Sequence, residues 1–119
     1  MQDFKNLRVW DEALKLALSV DHLTKKLRRG AYASFRSQTF RAAVSIPSNI
    51  AEGRRKKTDK EFARFLNIAA GSSSELESHL IFGRKARIIG EREFLALVTQ
   101  TIVVRKMIFA LIRRLSEEN

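Results

Sequence analysis

The chain of 119 residues has no cysteine, one proline, five glycines and two histidines, and each scarcity removes a class of protein. Without cysteine there is no disulfide, no thiolate zinc site and no cysteine nucleophile, a composition that fits a reducing compartment. With so few prolines and glycines, and no alternating valine, isoleucine or threonine run, nothing suggests a strand. The glycines at 30, 53, 71, 83 and 90 are isolated, so no glycine-rich phosphate loop is present. His22 and His79 cannot supply the Glu-x-x-His pairs of a di-iron bundle. Neither follows an arginine at the short spacing of helical toxin-type ribonucleases. Glu75 and His79 share a helix face, a pairing more typical of surface contacts than of a metal site. No cofactor, metal or enzymatic activity is expected.

Long uninterrupted apolar runs are missing as well. No basic stretch leads into an apolar segment of the leader type, and the apolar-rich region 101–115 is broken by Arg105, Lys106, Arg113 and Arg114. The expectation is a soluble, cytoplasmic protein without a membrane partner. Acidic residues are also scarce: 13 Asp and Glu stand against 23 Lys and Arg, leaving a formal charge of +10 and a pI near 10.7. Such a surface attracts polyanions, nucleic acid first and acidic protein second.

What remains is helix. The 45% apolar content is enough for one core, so residues 1–119 read as a single domain. From Val9 the apolar positions Ala13, Leu16, Val20, Leu23 and Leu27 follow at four-and-three spacing, predicting a first helix that ends near Gly30. A second, over 34–55, carries Phe35, Thr39, Ala42, Ala43, Ile46 and Ile50, with Phe40, Val44 and Ala51 widening the face. Pro47 inside it should kink or break the helix, and Ser45 and Asn49, able to satisfy freed backbone groups, favour a kink. Thr58 and Glu61 form a capping box opening a third helix, with Phe62, Leu66, Ala69, Ser73, Leu76, Leu80 and Gly83 on one stripe. Its centre, 69–74, is all small residues and suits close packing. The fourth helix, from Glu91, has two stripes, Phe94-Leu97-Thr101-Val104-Ile108-Leu111-Leu115 and Leu95-Val98-Ile102-Phe109-Ile112. One stripe serves the bundle; the second predicts a further contact, such as another subunit. Short connections predict an all-α, antiparallel up-down-up-down four-helix bundle.

The segment Arg41-Ala42-Ala43-Val44-Ser45-Ile46-Pro47-Ser48-Asn49-Ile50-Ala51-Glu52-Gly53 is more specific than periodicity. With Phe4-Lys5-Asn6-Leu7-Arg8-Val9-Trp10, and with Lys60-Glu61-Phe62-Ala63-Arg64-Phe65-Leu66 running on to Gly71-Ser72-Ser73-Ser74-Glu75-Leu76-Glu77, it resembles a bacterial four-helix-bundle family first described as proteins encoded in intervening sequences of 23S ribosomal RNA genes. That resemblance implies a ring-like homopentamer without demonstrated enzymatic activity. It also implies kinship with the accessory variability proteins of diversity-generating retroelements, basic pentamers that associate with a reverse transcriptase and nucleic acid. The connection Arg29-Gly30-Ala31-Tyr32-Ala33-Ser34 departs from the usual acidic-aromatic-glycine pattern.

Up-down-up-down order turns the basic runs into geography. Lys25, Lys26, Arg28 and Arg29 should meet Arg84, Lys85 and Arg87 at one pole, and Arg54, Arg55, Lys56 and Lys57 should meet Arg113 and Arg114 at the other. Cations at helix C-termini are favoured in any case, but that preference does not explain two runs converging at each end. No helix-turn-helix, zinc finger or aromatic sheet is present, and the eight phenylalanines are expected mostly in the core. The predicted function is therefore an oligomeric scaffold gripping RNA or DNA through its phosphates, with an adaptor for an acidic protein as the alternative. Ser45, Ser48, Asn49 and Glu52 are expected to satisfy backbone groups and one another.

Overall fold

Apolar residues repeating every three or four positions bury one stripe per helix, and four such stripes close around one core. The structure, a computed structural model, describes residues 3–117. Its helices are α1, Arg8–Thr24; α2, Ala33–Arg54; α3, Asp59–Lys85; and α4, Glu91–Glu117. Single 3-10 turns at Phe4–Asn6 and Lys25–Leu27 flank α1, and no strand occurs among the described residues. A 27-residue helix is about 40 Å long, close to the whole 48 Å length of the molecule, so consecutive helices must reverse direction. α1 packs on α2 and α4, and α3 on the same two, giving the expected antiparallel bundle.

The predicted stripes form the core. Leu16 and Val20 of α1, Ile46 and Ile50 of α2, Leu66, Leu76 and Leu80 of α3, and Leu97, Val104 and Ile108 of α4 are all buried. α2 and α3 make the most extensive contact, because Ala42, Ala43, Ala69, Ala70 and Ser73 leave the backbones free to approach. Across this seam the hydroxyls of Ser45 and Ser72 lie 2.8 Å apart. Asn49 donates from Nδ2 to the Ser45 carbonyl at 2.8 Å and to its hydroxyl at 3.0 Å. α2 runs unbroken through the buried Pro47.

One turn differs from the periodicity reading, and a second closes without glycine. α1 stops at Thr24, whose buried hydroxyl donates to the Val20 carbonyl at 2.7 Å, rather than continuing to Gly30. Lys25 and Lys26 therefore sit on a 3-10 turn, with Arg28 and Arg29 in the connection beyond it. Gly30 itself takes φ +94°, a conformation that favours glycine. At the end of α3 the amide of Ile88 donates to the Gly83 carbonyl at 2.8 Å and that of Arg87 to Arg84 at 3.1 Å. This is a Schellman closure, with Arg87 rather than glycine in the left-handed position at φ +62°.

Gly53 stands one residue before the end of α2 at Arg54 and is also a packing position. A Cβ there would lie 2.7 Å from Phe65 Cβ and 3.2 Å from the backbone oxygen of Phe62, so α3 crosses α2 too closely for any side chain. Gly53→Ala should destabilise the fold by about 1–3 kcal/mol, the usual cost of overpacking, as read by chemical denaturation. A neutral result would mean that α3 can shift away.

Candidate nucleic-acid interface

Residues far apart in the sequence meet at each pole because the helices alternate in direction. At the first pole Lys26 shares a cleft of about 230 Å³ with Ile88, Ile89, Gly90 and Glu93, so the basic residues after α1 adjoin those ending α3. Arg84 is partly buried and reaches the Ile89 carbonyl at 3.4 Å, holding the α3–α4 connection. Lys25, Lys26, Arg28, Arg29, Lys85 and Arg87 are exposed. Arg28 lies 3.6 Å from the Asp21 carboxylate, which also pairs with the largely buried Arg36.

At the second pole Arg113 and Arg114 line a cleft of about 460 Å³ together with Leu7, Arg8 and Glu117. The start of α3, Thr58 to Lys60, shares another with Ile112, Leu115 and Ser116 of α4, which brings the α2–α3 connection to the same end. Arg55, Lys57, Arg113 and Arg114 are exposed, whereas Arg54 and Lys56 are partly buried. The guanidinium of Arg54 lies over the Phe62 ring at 5.8 Å and the ammonium of Lys56 over Phe65 at 5.1 Å. Glu52 sits 3.1 Å from Lys56 and 2.9 Å from Arg55. Hydrogen bonds from Lys56 and then Arg55 hold its carboxyl below the ordinary range, so it is ionised near neutral pH. The four-residue run 54–57 is thus divided: Arg55 and Lys57 face solvent, while Arg54 and Lys56 also brace helix ends.

Sequence reasoning missed Arg8, which the same antiparallel order places beside Arg113 and Arg114. It also put most of the phenylalanines in the core, where Phe62 is buried and Phe35 and Phe94 are partly buried against it. Phe82 and Phe109 are 60% and 42% exposed. Phe82 precedes the inward-facing Gly83 and follows Leu80 by two, a position outside the stripe that periodicity defines.

Other candidate chemistry dissolves into packing. Asn49 bonds to Ser45, Ser45 bonds across to Ser72, and Glu52 belongs to the ion pairs above. His79 lies against Phe35 with ring centroids 6.5 Å apart. Among the described residues no three His, Asp or Glu side chains are grouped to hold a metal ion.

The outward side of α4 carries three exposed large apolar residues. Of the second predicted stripe, Val98 and Ile112 are partly buried against the core of the same chain and Ile102 is half-buried, while Leu95 and Phe109 are 55% and 42% exposed, as is Val103 beside them at 48%. By length and composition α4 could cross a membrane, but a bundle's core helix meets the same test. Arg105 in its middle pairs with Glu77 of α3 at 2.6 Å.

Residues 5–110 match a protein family described as "23S rRNA-intervening sequence protein". A solved structure from Bacteroides thetaiotaomicron, of a protein with unknown function from the S23 ribosomal protein family, is similar in fold. It has a TM-score of 0.78 at 21% identity, over 87% of this chain and 97% of that one. No curated protein matches the chain.

Proposed function

This chain belongs to the 23S rRNA-intervening sequence protein family, and we propose that it is a non-enzymatic, self-associating cytoplasmic scaffold that grips nucleic acid by its phosphates. The observation that carries the reading is the convergence of separate basic runs at both ends of a 48 Å rod with formal charge +10. Like charges gathered at one pole repel, and a polyanion relieves that repulsion. Contacts through long cationic side chains are weakly sequence-selective and steeply salt-dependent. Filter binding at about 50 mM salt tests the reading. Failure to retain either RNA or DNA would shift the account to an adaptor for an acidic protein.

Self-association is supported by the exposed Leu95, Val103 and Phe109 on α4, and the pentamer by family resemblance. Light scattering should give a multiple of 13.7 kDa, with Phe109→Glu lowering the mass. A wild-type monomer would end the oligomer reading, and a dimer or tetramer would end the pentamer alone. The finer reading is an accessory variability protein of a diversity-generating retroelement, acting with a reverse transcriptase. It requires a gene beside a reverse transcriptase gene and a repeat pair. A gene within a large ribosomal RNA gene would favour the intervening-sequence reading.

A further inference from the structure

The first pole carries something that phosphate contacts do not use. Between the first turns of α2 and the last turns of α3 lies a cleft of about 420 Å³ lined by Phe35, Gln38, Ser78, His79 and Phe82, within the size range of small-ligand sites. Phe35 and Phe82 face each other with ring centroids 5.9 Å apart and planes tilted by 34°. Gly83 permits this placement, because a Cβ there would come within 2.8 Å of Phe35 Cζ. Phe82 is 60% exposed, so its ring is open to a partner. Gln38, Ser78 and His79 supply polar groups at the rim.

We propose that this cleft receives an unstacked base of single-stranded nucleic acid, stacked against Phe82, while the neighbouring cations hold the backbone. The inference rests on the nucleic-acid reading above and adds strand selectivity to it. Lys85 follows Phe82 by three residues and so lies on the same side of α3 one turn nearer the pole, where Arg87 is also exposed. An aromatic face beside a cationic path is the arrangement with which proteins hold single strands, since every base offers a π-face and no particular sequence is required. The amide, hydroxyl and imidazole at the rim can meet base edges, which are accessible only when the base is unpaired. Charge also disfavours a second copy as occupant here, because it would bring the same positive pole with it. The apolar α4 face, away from this cleft, suits that role better.

The test compares wild type with Phe82→Ala and Phe82→Trp by fluorescence anisotropy. The probes are a mixed-sequence RNA strand of about 15 nucleotides and the same strand annealed to its complement. Phe82→Ala should weaken single-strand binding roughly tenfold or more, as loss of one stacking partner does, and should leave duplex affinity and both salt slopes unchanged. Phe82→Trp should retain single-strand affinity, and 2-aminopurine in the strand should change its emission on binding wild type, as its stacking on neighbouring bases is lost, and less so on binding Phe82→Ala. Equal loss on both probes, or no loss on either, overturns the proposal while leaving the phosphate reading intact. A change in mass on light scattering for Phe82→Ala overturns it in favour of a self-association face. Absence of binding to either probe by the wild type instead defeats the nucleic-acid reading itself.

Discussion

Changing Arg55, Lys57, Arg113 and Arg114 together to Gln should cut affinity for RNA and DNA at about 50 mM salt by at least about a hundredfold, and flatten its dependence on salt. Each cation that meets a phosphate contributes about −0.9 for duplex DNA, or −0.7 for single strands, to the slope of log affinity against log salt. Four lost contacts per chain would therefore flatten the slope by up to about 3.6 or 2.8. The loss should be alike for all sequences, because no base edge is read by these side chains in this account. These four are exposed, so circular dichroism and oligomer mass should not change. Arg54 and Lys56 are left alone deliberately: they lie over Phe62 and Phe65, and replacing them would confound binding with packing. The same experiment at Lys25, Lys26, Arg29 and Lys85 asks whether the other pole shares the task. An unchanged slope from both variants would remove the poles as the interface, whatever the wild type binds.

The largest stability effect is expected from Leu76→Ala. Leu76 is fully buried, 0% exposed, at the centre of the α3 stripe. Truncating it removes apolar surface and leaves a cavity that neighbouring helices fill only in part, a loss of about 2–5 kcal/mol. That is a large share of the 5–15 kcal/mol or so that holds a typical domain folded. The midpoint of thermal unfolding should fall by roughly 10 °C or more. Leu66, equally buried, should behave the same way. Glu75→Ala on the exposed face should stay within about 0.5 kcal/mol. If Leu76→Ala also stayed within that limit, the α3 stripe would not be the spine of the core.

The helices were legible because each is written in local spacing. Thr58 caps α3 as predicted, its hydroxyl accepting from the Glu61 amide at 3.1 Å, while the Glu61 carboxylate accepts from Arg64 at 2.9 Å. The fourth helix begins at Glu91 as read. The end of α1 was not legible, because Leu23 and Leu27 keep the period while the chain has already tightened into a 3-10 turn. The packing role of Gly53 was not legible, because sequence shows a missing side chain but not the phenylalanine that fills its place.

Sequence alone determined the helical content, the stripes that face the core, the excess of positive charge and the order in which basic runs meet at the poles. All four follow from interactions among residues close in the chain, or from counting. Tertiary structure decided how each cation is employed. Whether Arg55 faces solvent while Lys56 lies on Phe65, or Arg84 braces a turn while Lys85 stands free of it, depends on groups brought in by a different helix. It also decided that Phe82 faces outward against Phe35 across the α2–α3 seam, because the approach of two helices is set by the small residues between them and not by the spacing within either.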